Sequence, residues 1–416
     1  MVPKGWQKTD LNELIHIKHG FAFKSAYFRE SGHYILLTPG SFYEEGGFKN
    51  QGNKTKYYIG EIPDTYLLSK NDLLIAMTEQ AQGLLGSALF VPEDNLYLHN
   101  QRLGKVQIQS NDEICSEFLY LTFNSPFARK QITEQSTGTK VKHTSPDKLK
   151  SIICLLPPLP EQQKIAKILS TWDRAISTTE RLIDNSTQQK KALMQQLLTG
   201  KKRLLDESGN RFEGEWESRL FKNILKLDRG SSPRPIVKYM TDSEDGVNWI
   251  KIGDTKGEGL YINSTKERIT KEGAEKSRKV FKGEVVLSNS MSYGKPYILN
   301  IDGYIHDGWF VIRNFEKSID VKFLIQILSS ELIQKQYKRL AAGGVVSNIS
   351  SELVYAVKVN LPSIPEQQKI ATVLTNADKE IELLEQQLAD LQQEKKALMQ
   401  VLLTGKKRVV VVGEGV

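Results

Sequence analysis

Two stretches of the chain place apolar residues at alternating spacings of four and three. The first runs Ile165, Leu169, Trp172, Ile176, Thr179, Ile183, Ser186, Lys190, Leu193, Leu197. The second runs Ile370, Leu374, Ala377, Ile381, Leu384, Leu388, Leu391, Lys395, Leu398, Leu402. A seam of mean period 3.5 held over this length predicts two long helices paired as a coiled coil. The plainer alternative is two long helices, each packed only on its own domain. Helices much longer than ~25 residues favour the coiled coil, and these are too polar to span a membrane.

The ends of both helices are written in the same words. "LPPLPEQQKIAKILS" starts at Leu156 and "LPSIPEQQKIATVLT" at Leu361; "LLTGKKR" ends at Arg203 and again at Arg408. The offset stays at 205 throughout (365 − 160 for the second prolines). Pro160 and Pro365 suit a first helical turn, where a missing N–H costs nothing. Glu161 and Glu366 set negative charge at the positive end of the helix dipole. Gly200 and Gly405 follow the last apolar residues beside basic ones, as a helix stop requires. About 40 residues lie between these signals, or roughly 60 Å of helix.

Outside the helices the pattern shifts to short β-branched runs bounded by Gly, Asn and Asp, the signature of strands and turns. These regions repeat more loosely. "SKNDLLIAMT" (69–78) parallels "FKGEVVLSNS" (281–290). "YLHNQRL" (97–103) is set against "YIHDGWF" (304–310), which aligns His99 with His306. The expected organisation is a mixed α+β domain over 1–156, a long helix over 157–203, a second α+β domain over 204–361, a second long helix over 362–408 and a tail over 409–416. A duplicated chain of this kind can fold about an internal pseudo-two-fold axis; if that axis crosses the helices, they pair antiparallel.

Composition changes this picture in one respect. Lys plus Arg number 57 and Asp plus Glu 49, for a net charge of +8. That excess favours a polyanionic partner. The start "MVPKGWQKTDL" carries no apolar signal region, no apolar run reaches membrane length, and Cys115 and Cys154 are too few for a disulfide framework; the expected setting is a reducing cytoplasm.

Catalytic signatures are missing. There is no phosphate-binding G-x-x-x-x-G-K-[ST] loop and no N-P-P-Y or D-P-P-Y run of an adenine methyltransferase. No His or Cys stands at metal-ligand spacing from His99 or His306. Pro146-Asp147-Lys148-Leu149-Lys150 distantly suggests a nuclease, but reads better as a capped helix. A binding protein remains, with its candidate surface in the loops. In the first domain the candidates are Lys24, Asn100, Gln101, Arg102, Lys140, Lys142 and His143. In the second they are Arg229, Arg234, Lys251, Asn289, Tyr293, Lys295, His306, Asp307 and Trp309. Arg and Lys suit guanine, Asn and Gln suit adenine, and loop lysines more often meet phosphate. For any one of these residues, plain solvent exposure is the competing explanation.

The duplicated "LPPLPEQQKIA" and "LLTGKKRL" blocks resemble the repeat regions of specificity subunits of type I restriction–modification systems. "SYGKPYIL" (292–299) and "LHNQRL" (98–103) are close to common forms in the same family. The resemblance covers the whole architecture. It implies that each globular domain reads one half of a bipartite duplex DNA target. The helices would set the spacing and dock two modification subunits, through Pro160, Glu161, Gln162, Gln163, Lys164 and Pro365, Glu366, Gln367, Gln368, Lys369. Capping of the helices is the alternative role for those residues. The resemblance also implies two restriction subunits, with S-adenosylmethionine and ATP/Mg bound by the partners and no cofactor in this chain. A coiled-coil scaffold whose heads bind proteins is the competing function.

Overall fold

A computed structural model of the chain describes residues 2–138, 141–255, 259–290, 294–340 and 349–411. It divides into two compact units. One holds the residues up to Glu180 together with those from Gln387 on; the other is Arg181–Gln386. The division falls inside both long helices, Leu159–Leu197 and Ile364–Leu402, each of 39 residues. Every position of both 4-3 seams is buried or half-buried, while the residues flanking them are mostly exposed.

Each unit contains its own antiparallel helix pair. In the first unit, Trp172 Nε1 donates to Glu394 Oε2 at 3.3 Å and Lys395 Nζ to Asp173 Oδ1 at 2.5 Å. In the second, Ser186 Oγ donates to Glu380 Oε1 at 3.4 Å and Lys190 pairs with Asp378. The two seam lysines thus each meet an aspartate one residue beyond the partner's seam, and a charged pair in a seam fixes register.

The first unit is built on a four-stranded antiparallel sheet in the order Ile15–His19, Leu103–Ile108, Leu73–Ala76, Ala88–Phe90. Its central strand Leu73–Ala76 is buried on both faces. Leu73 and Ile75 point into a cluster with Phe118, Leu119 and Ile132 from the helices Ser116–Asn124 and Pro126–Glu134. Leu74 and Ala76 point the other way, into a cluster with Leu37, Phe42 and Tyr97. That is the two-residue alternation of a strand covered on both sides. Ile165, Leu169 and Leu402 close the helical side, so the start of one long helix and the end of the other complete this core.

The second unit repeats the plan with more strands. Its main sheet runs Lys226–Arg229, Trp309–Arg313, Val285–Ser288, Pro296–Leu299, Tyr261–Ile262. A second five-stranded sheet ends in the edge strand Arg278–Val280, which pairs with Gly303–Ile305. Leu197, Leu198, Ile370 and Leu374 join the core on the helical side. Pro146–Lys150 is a short helix whose cap is Ser145, its Oγ accepting from Lys148 N at 3.4 Å.

The repeated blocks have a structural reason. Glu161 is 4 % exposed; its carboxylate accepts from Arg408 Nε and Nη2, both at 2.7 Å, and from Trp6 Nε1 at 3.0 Å. Glu366 is fully buried and accepts from Arg203 Nε at 2.5 Å and Nη2 at 2.7 Å. The glutamate that opens each helix therefore grips the arginine that follows the other, in a two-point fork. Gln162 Nε2 donates to Glu113 O and Pro157 O while its Oε1 accepts from Cys115 N. Gln367 makes the same bonds to Ser318 O, Pro362 O and Asp320 N. Gly200 and Gly405 stop the helices at positive φ.

Candidate nucleic-acid interface

In the first unit, backbone hydrogen bonds gather most of the expected residues at one end of the strand Leu73–Ala76. Met77 N donates to Arg102 O at 2.9 Å, and Thr144 N donates to Met77 O at 3.0 Å. The Asn100–Arg102 turn and the Lys142–His143 segment are therefore both tied to the backbone of Met77. Phe21 N donates to His99 O and Gln101 N to Phe21 O, which brings the segment preceding Lys24 to the same place. Gly20 is obligatory here, because a Cβ would stand 2.0 Å from the Asn100 carbonyl oxygen. Within the turn, Asn100 Oδ1 accepts from Arg102 N, leaving Gln101 and Arg102 exposed. His143 Nδ1 lies 3.2 Å from Thr78 Oγ1. Lys24 is exposed; Lys140 lies outside the described residues.

The second unit uses the same scaffold. Asn289 N donates to Gly308 O and Ile349 N to Asn289 O, as Met77 does with Arg102 and Thr144. Gly230 N donates to Trp309 O as Gly20 N does to Leu103 O, and a Cβ on Gly230 would stand 2.0 Å from His306 O. These bonds match Leu103 with Trp309 and Asn100 with His306. The alignment of His99 with His306 is thereby corrected by one residue: His99 matches Ile305. His99 is fully buried, its Nε2 2.9 Å from Leu103 O, and burial lowers its pKa to about 4.

The register shift explains the burial of Trp309, which now matches Leu103, and the fold corrects Asn289 as well. Trp309 opens a strand and is fully buried against Tyr297, edge to face at 5.7 Å, so it is not a loop contact. Asn289 is 4 % exposed and donates its Nδ2 to Asp307 O at 2.8 Å; it holds the turn and does not reach out from it. Around it, Asp307 Oδ1 accepts from Ser232 Oγ at 2.8 Å, and that bond is the first cause of a carboxyl held below its usual range. Arg234 sits 3.5 Å from the other oxygen. Lys251 is paired with Glu267. His306 Nε2 accepts from Ile252 N, and burial lowers its pKa. Arg229 and Lys295 are exposed; Tyr293 lies outside the described residues.

The expected docking set also divides. Glu161, Gln162, Glu366 and Gln367 are buried and bonded internally, so they form no outward surface. Pro160, Gln163 and Lys164, with Pro365, Gln368 and Lys369, are exposed. Among the described residues, no group of three or more His, Cys, Asp or Glu could hold a metal, and no helix is long and apolar enough to cross a membrane.

Known proteins are similar along this whole frame. The type I restriction modification DNA specificity domain matches the chain twice, over residues 3–185 and 213–393. The MjaVIII type I restriction enzyme specificity subunit of Methanocaldococcus jannaschii is 28% identical over 323 residues, 73% of each chain. The EcoBI specificity subunit of Escherichia coli is 26% identical over 386 residues, 88% of this chain and 77% of its own. A crystal structure of a type I S subunit from M. genitalium shares the fold with a TM-score of 0.61 at 16% identity, covering 97% of this chain and 96% of that one. Two copies of one domain model, each ending within a long helix, account for most of the sequence: the chain belongs to the type I restriction–modification DNA specificity family.

Proposed function

We propose that this chain is the DNA-sequence specificity subunit of a type I restriction–modification complex and is itself non-catalytic. The observation that carries this is the double match to the specificity domain, laid over two units that each gather polar and cationic loops at the same place on the same scaffold. Each unit reads one half of a bipartite duplex target, with Gln101 and Arg102 exposed for base edges in the first. The long helices keep the two half-sites at a fixed gap. Two modification subunits dock on the exposed faces at Pro160, Gln163, Lys164 and Pro365, Gln368, Lys369, and bring S-adenosylmethionine to methylate adenine. Two restriction subunits add ATP-driven translocation and cleavage. The assembly works in the cytoplasm of a prokaryotic cell.

The test is to express the chain with its cognate modification subunit and map methylated adenines genome-wide. We expect a single new motif of two short defined halves separated by an unspecified gap of constant length. Absence of any chain-dependent motif, or a continuous one, overturns the assignment.

A further inference from the structure

The hydrogen-bond register that matches Gly20 with Gly230 also shows where the two units differ. Arg229 precedes Gly230 and takes the place of His19. Lys279 pairs with Tyr304 as Leu67 bridges Leu98, so Arg278 takes the place of Tyr66 and Lys276 that of Asp64. A histidine, a tyrosine and an aspartate in the first unit thus become three permanent cations in the second.

These cations stand on a stitched platform. Arg278 Nε donates to Arg229 O at 3.2 Å, and Arg229 Nε to Asp307 O at 3.4 Å. Ser277 Oγ donates to Ser231 O at 2.7 Å, and Ser231 Oγ to Lys276 O at 3.1 Å. Lys276 Nζ lies over the Tyr239 ring, 4.6 Å from its centre, and bonds its hydroxyl. Both arginines and the lysine are exposed. Asp228 is ion-paired with Arg313 and Lys226 and also feels the charge of Arg278, while Asp307 is bonded to Ser232 and paired with Arg234. Among the described residues, the terminal guanidinium nitrogens of Arg229 and Arg278 have no hydrogen-bond partner. Edge-strand cations also discourage sheet pairing, but that role needs neither the serine stitches nor the ring under Lys276. A held backbone with free, forked donors is what phosphate oxygens select.

Resting on the DNA-binding function above, we propose that Arg229, Lys276 and Arg278 form a phosphate clamp in the second unit where the first unit holds a single cation, Lys18, which lies over the Tyr66 ring at 4.6 Å and bonds Thr65 O, so that backbone contacts are weighted toward the second half-site. The clamp positions the duplex and does not read its sequence.

The test is binding of the purified full-length chain to a fluorescent duplex of arbitrary sequence, by anisotropy from about 50 to 300 mM salt. Each phosphate contact adds roughly 0.9 to the slope of log K against log salt. Arg278→Ala is expected to reduce that slope by about one, Arg278→Lys to keep it, and Arg229→Ala/Arg278→Ala to reduce it by about two. Tyr66→Arg in the first unit and Lys379→Ala on a long helix give the comparison: the first raises the slope and the second leaves it unchanged. If wild type binds with a steep slope that Arg278→Ala and the double variant leave intact, the clamp is wrong. If wild type shows no salt-dependent duplex binding at all, the function itself falls, and the clamp with it.

Discussion

His99 shows how a single residue type misleads until its packing is known. In the sequence it stands beside Asn100, Gln101 and Arg102, in what looks like a polar recognition loop. In the fold it is fully buried, its ring bonded only to the Leu103 carbonyl, and its pKa falls to about 4 by burial. The ordinary value is 6.5. A ring that binds its proton less readily when folded makes the folded state less stable as pH drops through about 6.5, and the loss levels off below about 4. The wild-type chain should therefore lose on the order of 2 kcal/mol between pH 7.5 and 5 from this residue. Urea unfolding at the two pH values checks it: His99→Gln should show that much less acid sensitivity, and an identical pH response in the two proteins would remove the claim. Trp309 and Asn289 teach the same lesson. Both residue types are common in nucleic-acid loops, and here one fills the core while the other braces a turn.

Among the elements, the long helices were the most legible part of the chain. Their boundaries follow from local chemistry: proline in the first turn, glycine after the last, and a 3.5-residue apolar period between. What locks their ends was not legible. Glu161 meets Arg408, and Glu366 meets Arg203, 247 and 163 residues away. Nothing in the spacing of "PEQQ" and "GKKR" says that each glutamate belongs to the other copy's arginine. Arg203→Ala leaves the fully buried Glu366 charge without its counter-ion and should cost about 3–5 kcal/mol. Glu366→Gln added to that variant should recover part of the loss. Chemical denaturation of both variants measures it, and a cost under about 1 kcal/mol for Arg203→Ala would show that the fork is not what holds this helix end.

At the scale of the whole molecule, duplication produced two units with one scaffold and different surfaces. The sheets, the helical side and the turn geometry recur; the second unit adds strands and exchanges His19, Asp64 and Tyr66 for cations. If the helices set the gap between half-sites, adding one heptad to each should widen the unspecified stretch of the methylated motif and leave both halves unchanged. Methylation mapping reads this directly, and an unaltered gap would take the spacing role away from the helices.

The sequence alone determined the repeat, the helix seams and ends, the α+β class of the domains and the family they resemble. Each depends on periodicity or on residues close together in the chain, where the chemistry of a turn or a helix end is decided locally. Only the tertiary structure decided that half of the PEQQ motif faces inward, that Lys251 is neutralised by Glu267, and that "YLHNQRL" and "YIHDGWF" are offset by one. Strand pairing sets that offset, and one residue of slip turns every side chain of a strand to its opposite face. For these loop and motif residues, burial or exposure is fixed by contacts distant in the chain, such as Glu161 with Arg408, 247 residues away, which no local pattern encodes.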